Sequence, residues 1–240
     1  MIRLSSADTT TEAPDAAAEA PEEPAAPRDE KRELLLERLR AELGDAIVGS
    51  HIRPEDDLWV RVTREAWVQT GEVARDKLGC TFFDFLSGID WLPSPYGRDM
   101  DSQEDIVVHG KEPKDPGPMV TGYAGGDTRF QVFARVYNVY EHFGVTFKVD
   151  LPDDDLSIDS WVSVYAGANW HEREMREMFG FDFVGHPYME NLYLPTAFEG
   201  HPLRKDFPLL SRRVKPWPGI VDVEPMPGED EPAEGEGEGE

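Results

Sequence analysis

Between Trp170 and Pro208 the chain reads WHEREMREMFGFDFVGHPYMENLYLPTAFEGHPLRKDFP, and this stretch restricts the possible folds more than any other. Its first ten residues suit a helix. Asn169 can cap the free amides, Glu172 and Glu174 stand in the first turns where the helix dipole favours acids, and Gly180 can end it. The remainder cannot continue that helix, because Gly185, Pro187, Pro195, Gly200, Pro202 and Pro208 break the backbone every few residues. It is expected to form an extended strap with turns. The strap carries Phe181, Phe183, Tyr188, Leu192, Tyr193, Leu194, Phe198, Leu203 and Phe207, too much apolar surface for a solvated tail. It must therefore lie against the body of the same chain or against another protein.

The residues before it alternate between helical and strand patterns. Leu35, Leu36, Leu39 and Leu43 recur at helical spacing from about Asp29, with Gly44 where a C-terminal cap belongs. AIVGSHI and LWVRV, separated by RPEDD, read as a hairpin, in which His51 is a strand surface residue rather than a ligand. Thr63 can cap a second helix, with Trp67, Ala74 and Leu78 on one side and Gly79 closing it. CTFFDFLSGIDW is a further strand, and RFQVFARVYNVY and VTFKVDLP are two more, joined through EHFG. Asp159 or Ser160 is expected to start a short helix at WVSVYAGA. Residues 93–128, rich in Pro, Gly and Asp, read as a surface insertion.

Consecutive strands favour an α+β fold with a mixed or antiparallel sheet and helices on one side, not a doubly wound parallel sheet. The expected organisation is an N-terminal tail over 1–28, an α/β domain over 29–158, a helix and extended strap over 159–213, and a C-terminal tail over 214–240. Both tails are acidic: residues 1–27 hold six acids and one base, and residues 214–240 hold nine and one. With their Pro, Ala and Gly content they are expected to be disordered unless a partner holds them.

The formal charge of −25, of which −12 remains in the middle with 34 acids and 22 bases, argues against nucleic acid as a partner. No apolar run is long enough for a membrane span and no signal peptide is visible, so the expectation is a soluble cytoplasmic protein. The single cysteine, Cys80, forms no internal disulfide and cannot hold an iron-sulfur cluster; it reads as a small buried hydrophobe. GKEPKDPG lacks the leading glycine and the Ser or Thr of a phosphate-binding loop, and no GxGxxG opens a helix.

His171, His186 and His201 raise the possibility of a metal-dependent hydrolase, but HExxH needs a second histidine where Met175 stands. His186 and His201 share the phrase Gly-His-Pro, which suggests two related turns. Glu172, Arg173 and Glu174 are successive helix residues and cannot converge as an acid–base pair. They read as ion pairs and hydrogen bonds that pin the helix, with Arg173 a bidentate donor to a carboxylate. Arg204, Lys205 and Asp206, between Leu203 and Phe207, read as a polar grip flanked by apolar anchors.

ANWHEREMREMFGFDFVGHP and LPTAFEGHPLRKDFPL together resemble the signature of the 30 kDa (C-type) subunit family of NADH:quinone oxidoreductase, respiratory complex I, over about residues 160–210. The family pattern falls on Glu172, Arg173, Glu174, Glu177, His186 and Pro187, and on Gly200, His201, Pro202, Arg204, Lys205, Asp206 and Phe207. Glu190 departs from it, standing where a basic residue is usual. The resemblance implies a structural member of the complex without catalytic, cofactor-binding or metal-binding residues of its own, with FMN and iron-sulfur clusters in partner subunits. It implies contact chiefly with the quinone-site (D-type) and cluster-bearing (B-type) subunits, at the cytoplasmic side of the cell membrane and touching the membrane only through the complex. A related membrane-bound hydrogenase or quinone-linked complex, or a free-standing acidic scaffold, are the competing readings.

Overall fold

The computed structural model describes residues 28–96, 106, 110–112 and 117–209. The expectations for residues 1–27, for residues 210–240 and for the centre of the 93–128 insertion lie outside these residues. Helix α1 (Glu30–Leu43) begins where Asp29 accepts the Arg32 amide, buries Leu35, Leu36, Leu39 and Leu43, and ends at Gly44 with φ 54°. Strands β1 (Ile47–Ile52) and β2 (Leu58–Val62) follow as an antiparallel hairpin with an irregularity between Ile47 and Gly49. Helix α2 (Trp67–Asp76) leads to β3 (Phe82–Asp90), β4 (Phe130–Asn138) and β5 (Phe143–Leu151). The chain then forms β6 (Ser157–Asp159), α3 (Ala168–Phe179) and β7 (Asp182–Val184).

The main sheet has the order β1-β2-β5-β4-β3, antiparallel throughout except for the β2/β5 pair; β6 and β7 form a separate parallel pair. The strands alternate as half-covered strands must. Leu58, Val60 and Val62 stand in register with Val145, Phe147 and Val149, which in turn face Val136, Ala134 and Val132. These residues and the buried sides of α1, α2 and α3 form one apolar cluster. The opposite face mixes aromatic residues, among them Trp59, Phe85 and Phe133, with paired polar ones. There Arg135 holds Asp57 through two bonds of 2.6 and 2.9 Å, and Lys148 donates to the carbonyls of Thr121, Tyr123 and Gly125 at 2.7–3.0 Å.

Three local expectations are corrected. Thr63 makes no side-chain cap; it precedes a 3-10 turn, Arg64–Ala66, whose Ala66 amide bonds the Thr63 carbonyl at 3.2 Å. WVSVYAGA is not a helix but a set of turns after β6. Asn169 is not the cap of α3, which begins one residue earlier after Gly167 with no side-chain cap. Within the segment expected to be extended, DFV forms β7, where Phe183 stands in register with Ile158 and both are buried.

Candidate functional site

α3 is amphipathic. Its apolar side, Met175 and Phe179, lies on β3, and that approach requires Gly88, since a Cβ there would stand 2.5 Å from the Phe181 ring and 3.1 Å from Phe179. The Gly88 amide is 2.7 Å from the Met175 sulfur, so helix and strand are in direct contact. Gly180, in the left-handed conformation at φ 77°, stops α3 as its sequence position suggests.

Glu172, fully buried, accepts the Ser160 hydroxyl and the Trp161 amide, both at 2.6 Å. It thereby holds the turn where a helix was expected. Trp161 in turn stacks on Trp67 at 4.3 Å and donates its indole N–H to the Trp67 carbonyl. Burial pushes the Glu172 carboxyl up to about 7, against the opposing effect of its two donors.

Five residues on, Glu177 accepts the backbone amides of Leu192, Tyr193 and Leu194, the last two at 3.0 and 2.9 Å. Burial would raise this carboxyl, but the three amides together hold it below its ordinary range. Arg173 donates to the carbonyls of Glu190 and Asn191, and Arg176 to that of Met189. The expected carboxylate partner of Arg173 is therefore replaced by carbonyls, because residues 189–191 belong to no strand ladder and leave those oxygens unpaired. The Glu174 side chain makes no hydrogen bond or ion pair among the described residues, so only part of the Glu-Arg-Glu triplet pins the helix.

The second phrase closes the C-terminal end of α3. Its last carbonyls, which no helix can satisfy internally, accept His201 Nδ1–H (Glu177, 2.9 Å), the Leu203 amide (Met178, 3.1 Å) and Arg204 Nε–H (Phe179, 2.6 Å). The Arg204 guanidinium also lies 5.3 Å over Phe130. Lys205 donates its amide to Asp90, and Asp206 pairs with Arg129 at 3.0 Å. Gly200, at φ 94°, allows the Phe207 ring to approach where a Cβ would be 2.7 Å from it. Pro202 precedes these contacts and Pro187 is exposed.

His171, His186 and His201 do not converge. His171 meets the Phe83 ring edge-on, His186 donates Nε2–H to the Asn169 carbonyl while accepting the Tyr188 amide at Nδ1, and His201 caps α3. Among the described residues no three His, Cys, Asp or Glu side chains are placed to hold a metal ion. The two Gly-His-Pro phrases share one device: a glycine at positive φ, then an imidazole reaching back to a carbonyl of α3. Burial pushes the Cys80 thiol up to about 12, which removes it as a nucleophile at neutral pH.

Sequence reasoning missed Asp90 and Arg129. The Asp90 side chain is fully buried and receives two guanidinium bonds from Arg129, at 2.8 and 2.7 Å, besides the amides of Leu92 and Lys205. A carboxylate closing an apolar strand was the available signal. With the backbone of 189–206 bonded inward, apolar side chains are left outward: Tyr188, Tyr193, Phe198 and Leu203 are 40–63% exposed.

No helix among the described residues is long and apolar enough to cross a membrane. Residues 60–213, more than half of the chain, match the family model for the respiratory-chain NADH dehydrogenase 30 Kd subunit. The NADH-quinone oxidoreductase C-type subunit of Roseiflexus sp. (strain RS-1) is 35% identical over 182 residues, 75% of this chain and 86% of that protein. The C/D-type subunit of Pseudomonas fluorescens (strain SBW25) is 30% identical over 184 residues, 77% of this chain but only 29% of that longer protein. A solved chain of the membrane-bound sulfane sulfur reductase, an archaeal respiratory membrane complex, shares the fold, with a TM-score of 0.54 and 16% identity over 83% of this chain and 99% of that one. The chain belongs to the respiratory-chain NADH dehydrogenase 30 kDa subunit family, which includes the C-type subunits of NADH-quinone oxidoreductase.

Proposed function

We propose that the chain is a structural subunit of the peripheral arm of a proton-translocating NADH:quinone oxidoreductase, carrying no cofactor and supporting the subunits that hold the clusters and the quinone site. The observation that carries this reading is the two-sidedness of residues 185–209. Their backbone is bonded to α3 and Asp90, while Tyr188, Tyr193, Phe198 and Leu203 are presented outward. Such a ridge is a strap for another polypeptide to cover, with aromatic side chains as its anchors. The partners are chiefly the quinone-site (D-type) and cluster-bearing (B-type) subunits. Contact with the quinone-site partner is supported by the double designation C/D of the Pseudomonas fluorescens relative, of which this chain matches only 29%. FMN and the clusters belong to neighbouring subunits, and the chain meets the membrane, on its cytoplasmic side, only through the complex.

Replacing Tyr188, Tyr193 and Phe198 together by serine tests this. The variant should keep the circular dichroism of the parent chain, since none of the three rings belongs to the buried core. Recovery of the intact complex from detergent-solubilised membranes should fall about tenfold or more, the effect of losing a cluster of aromatic anchors. Normal assembly with slow turnover would contradict a structural role. The fold also occurs in the archaeal sulfane sulfur reductase complex, so membership of a related respiratory complex without an NADH module is the second reading. Mass spectrometry of the co-purified partners separates the two, because only the first brings down a flavin-bearing NADH-oxidising subunit.

A further inference from the structure

The outer face of the main sheet carries a pocket of about 280 Å³ lined by Trp59, Ile89, Trp91, Tyr123, Phe133 and Lys148. Register gathers them: Lys148 of β5 stands between Arg61 of β2 and Phe133 of β4, so the three strands present the same side here. The walls are held by contacts of their own. Tyr123 stacks on His51 with ring centroids 4.5 Å apart, and Trp91 donates its indole N–H to Gln131 at 2.7 Å. Gly122 lets the Trp91 ring lie where a Cβ would be 2.8 Å from it. An occupant therefore meets walls already in place, which lowers the cost of binding.

Among the described residues Lys148 is the one charge in this lining. Its three N–H groups are spent on the carbonyls of Thr121, Tyr123 and Gly125, and Asp150 is taken by Arg61 and Gln131. Burial pushes the ammonium down to about 8, against the pull of Asp150, so it keeps its charge at neutral pH. These facts sort the possible occupants. A carboxylate would find no N–H to accept from, a cation would be repelled, and an aliphatic group would leave the charge unanswered. An uncharged aromatic ring suits both parts of the lining. It packs against the other rings, and its electron-rich face attracts the ammonium, as the Trp91 ring already does at 5.2 Å.

The source of the ring follows from the same lining. Small-molecule sites usually hold about 300–1,000 Å³ and use convergent polar groups to orient the ligand. This pocket is smaller, and its charged group has no donor left. A side chain is oriented by its own backbone and needs none. Ile89 and Trp91 also line the groove beside residues 202–209, so the pocket adjoins the outward side of the strap.

We propose that this pocket receives one uncharged aromatic side chain of a partner polypeptide, held between the aromatic walls and the Lys148 ammonium. This rests on the reading of the chain as a subunit of a larger assembly and extends the contact from the strap to the outer face of the sheet.

The first test uses the full chain alone. N-acetyl-phenylalaninamide and its cyclohexylalanine counterpart have nearly the same shape, and the second is the more hydrophobic. Followed through the proton–nitrogen NMR resonance of the Trp91 indole, the phenyl compound should bind in the millimolar range, about fivefold more tightly than the cyclohexyl one. Lys148→Met should abolish that preference, and Ile89→Trp, which fills the pocket, should abolish binding of both. Equal or reversed affinities in the parent chain, an unmoved Trp91 indole, or a preference that survives Lys148→Met would each overturn the proposed chemistry and leave the subunit reading untouched. The second test uses the intact complex from detergent-solubilised membranes. Hydroxyl-radical oxidation of Trp59 and Tyr123 should be severalfold lower there than in the free chain, and equal oxidation in the two states would overturn the partner as the source of the ring.

Discussion

The two sides of α3 use the same residue type in opposite ways. Toward the body, Glu172 is wholly enclosed and accepts one hydroxyl and one amide, and burial dominates, pushing its carboxyl up to about 7. Toward the C-terminal segment, Glu177 lies under only a thin cover of loop and accepts three successive amides, and its carboxyl lies below the ordinary range. Deep burial with two donors against shallow burial with three decides which way each carboxyl moves. One end of the helix is thus built to be filled, and the other to hold a charge against a loop.

Removing each carboxylate separates these roles. Glu172→Ala should have the largest effect, about 4 kcal/mol in chemical denaturation, because it leaves a hydroxyl and an amide unpaired in an enclosed site and opens a cavity. Glu172→Gln, which can still accept one bond and donate another, should cost about 1 kcal/mol. The pH dependence carries a sign. With its folded pKa raised from 4.5 to about 7, Glu172 keeps a proton that the unfolded chain has already released. Stability from this group therefore falls as pH rises from 4.5 to 7, by up to about 3 kcal/mol, and Glu172→Gln should abolish that slope. An unchanged slope in the Gln variant would remove Glu172 as its source.

Glu177→Ala should cost less, about 2 kcal/mol, because water can reach part of the freed backbone. The loss should be local, seen as faster hydrogen exchange at Leu192, Tyr193 and Leu194 with little change in β4 or β5. Its pH dependence runs the other way. A carboxyl held below its ordinary value contributes fully above that value and loses its contribution as pH falls through it. Acid should consequently loosen residues 192–194 while leaving the Ser160–Trp161 turn firmly closed. Loosening of both together would collapse the distinction between the two sides.

The same division explains what the primary structure revealed. Local rules act within a few residues, so the leucine spacing of α1, the hairpin before α2 and the Gly180 stop were legible. A mixed sheet was also expected from the run of strands, although the parallel β2/β5 pair depends on a crossover that spacing alone does not specify. The failures are tertiary. Asn169 was a reasonable cap in isolation, but Glu172 takes the Trp161 amide and α3 begins earlier. Arg173 was expected to meet a carboxylate; which carbonyls would stand unpaired nearby could not be read from its own helix. Asp90 was missed because its partners, Arg129 and the Lys205 amide, lie 39 and 115 residues away.

That long-range anchor gives the next smaller effect. Asp90→Asn removes the charge from a carboxylate held below its ordinary value by Arg129 and by two amides, although burial opposes them. Arg129 keeps Asp206 and the Lys205 amide keeps an oxygen, so the expected cost is about 1.5 kcal/mol, centred on residues 202–207. Proteolysis should appear there before any change in β3. Cleavage of the whole chain at once would mean that Asp90 braces the sheet as much as the segment lying over it.

The smallest effect is at His186, where the two Gly-His-Pro phrases can be compared. His186 donates at Nε2 and accepts at Nδ1, so only its neutral form makes both bonds. Burial, with a further contribution from Arg173, lowers its pKa below 6.5 despite the Asn169 carbonyl. Just below that value the unfolded chain binds the extra proton more readily, so this contribution is complete above 6.5 and declines as pH falls through it. Because the ring is partly solvated the decline should be under about 0.5 kcal/mol. His201, in contrast, makes a single bond, donated through Nδ1 to the Glu177 carbonyl. The His186 ring resonances, followed by NMR from pH 7.5 to 5, should therefore be matched by a shift of the Tyr188 amide. A Tyr188 amide that stays still while the His186 ring shifts would show that Nδ1 does not hold it.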